Sequence, residues 1–245
     1  MTSIKLIALD MDGTLLNDDG MITPYTQKVI EEVQEQGITV VLSTGRPLSM
    51  CTSFADQLSL NSYIITANGA EIWTADEQLL ERHTMEAKKI KELWNIGHEQ
   101  RVHMWLVATD AIFIDDAVPE DFSKYEWLKI GFGRLSLSEK ELLWQSIKHD
   151  KSLEISNSSP RNIEVTKTGV HKANAIQSLC TRLEINMEEV MAIGDSLNDL
   201  KMIEQVGLGI AMKNAQQKVL EAADYITATN NEDGVAKAIE KFVLN

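Results

Sequence analysis

Short apolar runs alternate with helical patterns at both ends of the chain. The runs have the length and composition of buried strands, and they are Ile4–Leu9, Ile38–Leu42, Tyr63–Thr66, Val190–Ile193 and Leu208–Met212. Helical patterns follow them from Pro24 to about Gln36, from Pro47 onward, and over Lys172–Leu183, Leu197–Gln205 and Asn214–Ala223. Thr23 is the predicted N-cap of the first helix, with Pro24 as its first residue. Alternating strands and helices predict an α/β fold, a Rossmann-like parallel sheet covered on both faces.

The middle of the chain follows a different pattern. Two hairpins are expected, Ala70–Trp73 with Gln78–Glu81 and Val102–Ala108 with Ile112–Ile114. The remaining predicted elements are helices over 85–98 and 138–149 and strands over 153–155 and 162–165. We therefore predict an inserted α+β domain over residues 83–168, with residues 1–82 and 169–245 forming the core domain.

Composition and charge argue against nucleic acids and membranes as binding partners. The 245 residues carry a net charge of −14, which repels nucleic acids and anionic membranes. The N-terminus lacks the apolar region of a signal peptide, and no apolar run reaches the roughly 18 residues of a membrane span. Cys51 and Cys180 form no CxxC pair, so reduced thiols in helix faces are expected. These features favour a cytoplasmic protein that binds neither membranes nor nucleic acids; the oligomeric state stays open.

Three polar clusters each follow a predicted core strand. They are Asp10-Met11-Asp12-Gly13-Thr14, Ser43-Thr44-Gly45-Arg46 and Gly194-Asp195-Ser196-Leu197-Asn198-Asp199. Ligands of open α/β sheets bind outside the carboxyl ends of the strands. The three clusters are therefore expected to meet at one sheet edge.

Asp10 and Asp12 are candidates for paired acid chemistry. Their spacing of two, where a strand ends, directs both carboxylates to the same strand tip. Two close carboxylates need a cation or a shared proton, and one can act as a nucleophile while the other acts as an acid. The alternative is a turn with two solvated aspartates.

The other clusters suit a phosphate and a metal. Thr44-Gly45-Arg46 offers a hydroxyl and backbone N–H groups before a helix, as in an anion cradle, although an ordinary helix cap is the alternative. Asp195 and Asp199 supply oxygens of the kind that bind Mg²⁺, or else are acids favoured by a helix N-terminus. Lys172 opposes the dipole of the helix that it opens, and a bound phosphate would remove that conflict.

These residues resemble the four motifs of the haloacid dehalogenase (HAD) superfamily of phosphatases. Asp10-x-Asp12-Gly13-Thr14, Thr44-Gly45-Arg46, Lys172 and Gly194-Asp195-x-x-Asn198-Asp199 match them in order. Asn68-Gly69-Ala70 and the insert after the second motif are similar to the Cof-type sugar phosphatases with a C2 cap. Ala173-Asn174 departs from the glycine that often follows the lysine of the third motif.

The resemblance implies a magnesium-dependent hydrolase of small phosphate monoesters such as sugar phosphates. It implies that Asp10 forms an aspartyl phosphate and that Asp12 protonates the leaving alcohol and then activates water. It implies that Mg²⁺ is held by the Asp10 carboxylate, the Asp12 backbone carbonyl and Asp195, with Asp199 orienting this shell. The implied phosphate ligands are Thr44, Gly45, Lys172 and Asn198, with Arg46 assisting at the loop.

Other functions remain compatible with the sequence. They include a specialised phosphoglycolate or sugar-phosphate phosphatase, phosphoryl transfer to another acceptor, and a non-enzymatic sensor of phosphorylated ligands. A pure binder needs neither a nucleophile nor an acid, so the intact aspartates argue against the sensor. His103, Trp105 and Arg161 are candidate substrate contacts of the insert, with core packing or a solvated loop as the alternative.

Overall fold

Thirteen strands lie within residues 3–244, the part of the chain that the computed structural model describes. They are β1 (Leu6–Leu9), β2 (Thr39–Ser43), β3 (Tyr63–Thr66), β4 (Glu71–Thr74), β5 (Leu79–Arg82), β6 (His103–Ala108), β7 (Ile112–Ile114), β8 (Trp127–Gly133), β9 (Leu153–Ser156), β10 (Ile163–Lys167), β11 (Val190–Gly194), β12 (Leu208–Ala211) and β13 (Tyr225–Ile226). Eight strands form one sheet and five form another. Each sheet belongs to its own compact unit: the first unit runs up to Glu81 and resumes at Lys172, and the second spans Arg82–His171.

Eight α-helices accompany the strands in the described chain. They are α1 (Pro24–Glu35), α2 (Thr52–Gln57), α3 (Ala87–Glu99), α4 (Leu137–Ile147), α5 (Lys172–Leu183), α6 (Leu200–Gln205), α7 (Gln217–Ala222) and α8 (Gly234–Ile239). The expected cap of α1 is confirmed: the Thr23 side chain accepts a hydrogen bond from the Thr26 amide, and Pro24 is at the start. Among the helices of residues 3–244, none is long and apolar enough to cross a membrane.

The first sheet places β1 at its centre. Its strand order is β13-β12-β11-β1-β2-β3-β4-β5, and every pairing from β13 to β3 is parallel. β4 pairs antiparallel with β3, so the sheet is mixed and only its larger part is parallel as predicted. Alternate residues of β1 pack into two different hydrophobic cores. Ile7 and Leu9 belong to one core, and Leu6 and Ala8 belong to the other. This α/β arrangement, with apolar cores on both faces, confirms the predicted fold class.

The second sheet is antiparallel, with the order β7-β6-β8-β10-β9. Residues of α3 and α4 share one core with alternate residues of β6, β8 and β10. The central strand β8 was not predicted, because Lys129, Gly131 and Gly133 interrupt its apolar run. Each has a packing reason: Lys129 forms a buried ion pair with Glu164, with Nζ 2.6 Å from Oε2. A Cβ on Gly133 would come within 2.8 Å of the Trp105 ring. A Cβ on Gly131 would come within 2.1 Å of the Trp105 ring, so glycine leaves room for the indole.

Several predicted boundaries were wrong. The segment after Pro47 forms a 3₁₀ turn over Leu48–Met50 before α2, where one helix was expected. α6 begins at Leu200 and α7 at Gln217, each three residues later than predicted. The residues before α6 form a turn held by Asp199, whose Oδ2 accepts from the Asp195 and Ser196 amides. The division between the units lies at Glu81/Arg82 and His171/Lys172, one residue earlier and three later than predicted.

Candidate active site

The loops after β1, β2 and β11 emerge side by side, because these strands are neighbours in the first sheet. The Asp10 amide donates to the Ile193 carbonyl over 3.0 Å, which joins the loop after β1 to β11. The Thr44 amide donates to the Ile65 carbonyl over 2.9 Å, which anchors the loop after β2 to β3. The convergence expected from the sequence therefore follows from parallel pairing.

Lys172 links two of the predicted acids. Its Nζ donates to Asp10 Oδ1 and to Asp199 Oδ1, both at 2.6 Å. Lys172 and Asp199 are fully buried, and Asp10 is 4% exposed. An unpaired buried charge is costly, so the ammonium and the two carboxylates depend on one another.

Burial shapes the protonation of this cluster. Burial is the main cause that raises the pKa of Asp10 to about 7, repulsion by Asp199 adds to it, and Lys172 opposes it. Burial, followed by repulsion from Asp10, raises the pKa of Asp195 to about 8. Burial alone would lower the pKa of Lys172, but the two carboxylates outweigh it and raise that pKa. The cluster thus carries more carboxylates than one lysine can neutralise.

A divalent cation fits this excess of negative charge. One oxygen each from Asp10, Asp195 and Asp199 lies within 4.8 Å of the others. Asp195 Oδ1 is buried and has no hydrogen-bond partner within residues 3–244, which leaves it available as a ligand. Carboxylate oxygens are ligands that Mg²⁺ accepts, so the residues present suit that ion.

Gly13 lets the backbone come close to the acids. Its φ of +80° is in the region that favours glycine. A Cβ there would lie 2.6 Å from Asp195 Oδ2. The glycine that directly follows Asp12 therefore sets how closely the loop after β1 approaches Asp195.

The Asp12 carboxylate lies apart from the acidic group. Its side chain is 56% exposed and forms an ion pair with Arg46. Arg46 Nε donates to Asp12 Oδ2 at 2.9 Å, and Nη2 donates to Oδ1 at 2.6 Å. The sequence predicts that four acids share one edge; within residues 3–244, the group that the structure brings within ligand distance is Asp10, Asp195 and Asp199.

The predicted phosphate ligands surround the same edge. Thr44 is buried, and its Oγ1 accepts from the Arg46 amide over 3.1 Å. The Gly45 amide donates no hydrogen bond among the described residues. Asn198 Nδ2 donates to Asn68 Oδ1 at 3.2 Å, and Asn198 Oδ1 is buried without a partner in the described chain. The Gly45 amide can thus donate to an added anion, as can the Thr44 hydroxyl.

Sequence reasoning named Asn68 only as part of a resemblance, without a contact, and missed Asn214 and Asn230, which also hold these loops. Asn68 lies in the turn after β3 and has a φ of 60°. Its Oδ1 accepts a hydrogen bond from Asn198 Nδ2, which holds the Asn198 side chain in place. Asn214 Nδ2 donates to the Gly13 carbonyl at 2.8 Å, and Asn230 Nδ2 donates to the Leu16 carbonyl at 3.0 Å. Asn214 follows β12, so the rule about carboxyl ends of strands could have identified it.

The departure after the third motif is accommodated locally. Ala173 is fully buried within α5, which begins at Lys172.

In the second unit, Arg161 donates to the carbonyls of Leu135 and Arg134, which favours a structural role. His103 lies 2.8 Å from Asp115, measured from Nδ1 to Oδ1.

The sequence profile of the haloacid dehalogenase-like hydrolases matches residues 7–142 and 123–239. The chain is 46% identical over 241 residues to the 5-amino-6-(5-phospho-D-ribitylamino)uracil phosphatase YcsE of Bacillus subtilis, covering 98% of this chain and 96% of that protein. It is 30% identical over 265 residues to a second phosphatase of that name, YitU of Bacillus subtilis, covering 98% of each.

Solved structures share the fold over nearly the whole chain. A haloacid dehalogenase-like hydrolase from B. subtilis superposes with a TM-score of 0.90 at 27% identity, covering 98% of this chain and 100% of that one. A HAD subclass IIB sugar phosphatase, BT4131, gives a TM-score of 0.83 at 25% identity, covering 97% and 98%.

Proposed function

We propose, from the premise that this chain belongs to the haloacid dehalogenase-like hydrolase family and is a phosphatase, that it hydrolyses small phosphate monoesters through an aspartyl phosphate on Asp10. The observation that carries this proposal is the buried contact of Asp10 with Lys172, next to Asp195 and Asp199. A carboxylate held by a buried lysine is positioned but keeps a second oxygen, Oδ2, for attack.

The reaction runs in two displacements. In the first, an Asp10 oxygen forms a bond to phosphorus, the bond from phosphorus to the leaving oxygen breaks, and Asp12 gives that oxygen a proton. In the second, Asp12 takes a proton from water, the water oxygen attacks phosphorus, and the Asp10–phosphorus bond breaks. Inorganic phosphate leaves, and both aspartates return to their initial states.

Charge neutralisation supports both steps. The phosphoryl oxygens are held by the Thr44 hydroxyl, the Gly45 amide, Lys172 and Asn198, a set of donors of the kind that stabilises phosphoryl transfer. Mg²⁺ held by Asp10, Asp195 and the Asp12 carbonyl would supply positive charge to the transferring group. Asp199 orients this set, because it accepts from Lys172 and from the Asp195 amide.

The substrate that we propose first is 5-amino-6-(5-phospho-D-ribitylamino)uracil. Two relatives that match this chain over almost its full length are named for that activity, one of them at 46% identity. The phosphate of this molecule is an ester of a polyhydroxylated chain, which agrees with the sugar-phosphatase resemblance. We further propose that Arg82–His171 is the C2 cap, the unit that selects among phosphate esters.

A substrate panel tests this function. The purified protein with Mg²⁺ is assayed for phosphate release from the ribitylaminouracil phosphate, ribose 5-phosphate, glucose 6-phosphate and phosphoglycolate. We expect the highest kcat/KM for the first compound. A higher kcat/KM for phosphoglycolate would overturn the proposed assignment of the substrate. Absence of phosphate release from every ester would overturn the phosphatase function.

A further inference from the structure

The contact between Arg46 and Asp12 uses both oxygens of the Asp12 carboxylate. Nε and Nη2 of one guanidinium donate to Oδ2 and Oδ1, over 2.9 Å and 2.6 Å. Such a two-point contact fixes the plane and direction of a carboxylate, which a single ammonium does not. The guanidinium thus sets the orientation of the Asp12 side chain.

Arg46 is itself anchored. Its amide donates to Thr44 Oγ1 at 3.1 Å, and its carbonyl accepts from the Ala67 amide at 2.9 Å. The guanidinium carbon lies 5.4 Å from the centre of the Phe54 ring, and Nη1 donates to the Met50 carbonyl at 3.4 Å. The Arg46 side chain is therefore held on several sides while it reaches from the loop after β2 to that after β1.

Stability does not explain this arrangement. The Asp12 side chain is 56% exposed, and exposed ion pairs contribute little to folding stability. The pair nevertheless joins the tips of two neighbouring strands at the edge that carries Asp10. A contact that fixes a half-exposed carboxylate there has its consequence in the reaction.

We infer that Arg46 is the positioning residue of Asp12, and that it acts through Asp12 without holding the phosphoryl group. This inference rests on the proposed function, because it assigns to Arg46 the orientation of the acid of that reaction. An acid must direct an O–H at the leaving oxygen. A protonated carboxyl oxygen can still accept a hydrogen bond, so Arg46 can keep both contacts while the O–H of Asp12 points at the leaving oxygen.

The two possible roles of Arg46 differ in their leaving-group dependence. The leaving group of benzyl phosphate is a basic alkoxide, which needs a proton to depart. The leaving group of 4-nitrophenyl phosphate is a stable phenolate, which departs without one. Loss of a positioned acid therefore slows the first compound more, while loss of a phosphate ligand slows both. Neither compound is the proposed physiological substrate, so this comparison does not depend on which metabolite the protein uses.

A double-mutant cycle tests the inference. Single-turnover rates of phosphoenzyme formation are measured for Arg46→Gln, Asp12→Asn and the double variant, with both phosphate esters. We expect Arg46→Gln to slow benzyl phosphate about 10²-fold, in the range of general acid catalysis, with less than a threefold loss for 4-nitrophenyl phosphate. In the Asp12→Asn background, Arg46→Gln should cause no further loss.

Three controls complete the experiment. Lys5→Gln removes an ion pair with Glu189 just before β1 begins, at the other end of that strand, and should change neither rate. Inhibition by inorganic phosphate should be the same in Arg46→Gln and in the wild type. Arg46→Lys, which keeps the charge but loses the two-point contact, should show the same leaving-group contrast and serves if Arg46→Gln fails to fold.

The outcomes distinguish a failure of the inference about Arg46 from a failure of the proposed function. Equal losses for both esters, a further loss in the Asp12→Asn background, or weaker inhibition by phosphate would assign Arg46 to the phosphoryl group and overturn the inference alone. A wild-type protein that released phosphate from neither ester would overturn the proposed function and this inference together.

Discussion

Asp10 is the residue on which the proposed chemistry depends. Replacing Asp10 with Asn keeps the side-chain shape but removes the nucleophile, so Asp10→Asn should lower phosphate release by more than about 10⁴-fold. The fold should persist, because the buried Lys172 ammonium keeps its contact with the Asp199 carboxylate at 2.6 Å. Release is measured with 4-nitrophenyl phosphate and excess Mg²⁺, and folding is checked by circular dichroism.

The matched control for that substitution is Asp56→Asn. Asp56 is an exposed acid on α2 and lies outside the acidic group, so its loss should leave release unchanged. Near-normal turnover in Asp10→Asn would contradict the aspartyl-phosphate mechanism.

At the residue scale, sequence position and residue type predicted which side chains the fold brings close together. Asp10, Asp195 and Lys172 each stand where a strand ends or a helix begins, so their placement follows from the order of elements. The partners of these side chains were not predictable in the same way. Asp12 is bound by Arg46 and Asn198 by Asn68, and such pairs depend on rotamers and on the exact register of neighbouring strands.

At the scale of elements, the turn at Gly13 controls the approach of the loop after β1 to Asp195. Gly13→Ala adds a Cβ 2.6 Å from Asp195 Oδ2 at a φ of +80°, so both the backbone and Asp195 must shift. Misplacement of a catalytic group by about 1 Å can cost about 10²-fold in rate. We expect a loss of that size in kcat/KM and a higher Mg²⁺ requirement, measured by magnesium titration of the activity.

Gly37→Ala separates backbone strain from the loss of the site. Gly37 has nearly the same φ, +81°, but a Cβ there meets nothing within 4 Å. Each variant should lose about 1–2 kcal/mol of stability in urea unfolding, from the left-handed conformation. Only Gly13→Ala should lose activity, and equal activity losses would show that Gly13 has no role in the site.

Agreement at the ends of the chain was uneven: two elements were predicted to the residue, but β13 and α8 were not predicted. Tyr63–Thr66 and Lys172–Leu183 agree residue for residue with β3 and α5, because one hydrophobic period runs through each. β8 was missed since its glycines and Lys129 are explained only by Trp105 and Glu164 on neighbouring strands. Local patterns cannot contain that information.

For the whole molecule, the acidic group couples stability to pH and metal. The pKa values of Asp10 and Asp195 are raised from 3.8 to about 7 and about 8, so the folded state binds more protons than the unfolded state between about pH 4 and 8. The metal-free protein should therefore lose stability as the pH rises through this window, by about 1.4 kcal/mol for each pKa unit of an uncoupled group. Mg²⁺ binds the ionised form, so its stabilising effect should grow with pH.

Thermal unfolding with EDTA and with Mg²⁺ at pH 5 and pH 8 measures this coupling. The gain in Tm from Mg²⁺ should be larger at pH 8, and Asp195→Asn should reduce the difference. An equal gain at both pH values would contradict the link between the acidic group and the metal.

The two compact units divide near the segment where the sequence pattern changes from alternating βα units to hairpins. The antiparallel edge of the first sheet was predicted as a hairpin, but its membership in that sheet was not. Strand order is a property of the assembled sheet, so local periodicity does not determine it.

The order of strands in the first sheet also bears on how the protein is made. β1 pairs with β2 and with β11, so the strand that carries Asp10 lacks one neighbour until residues beyond Val190 have left the ribosome. Among residues 3–244, the five strands of the second unit form a sheet of their own, so that unit can complete its sheet while the first is unfinished. Domains fold as units during synthesis. We therefore expect the insert to fold while the β1 edge is still open, and Asp10 to meet Asp195 and Asp199 only after residues beyond Val190 have emerged.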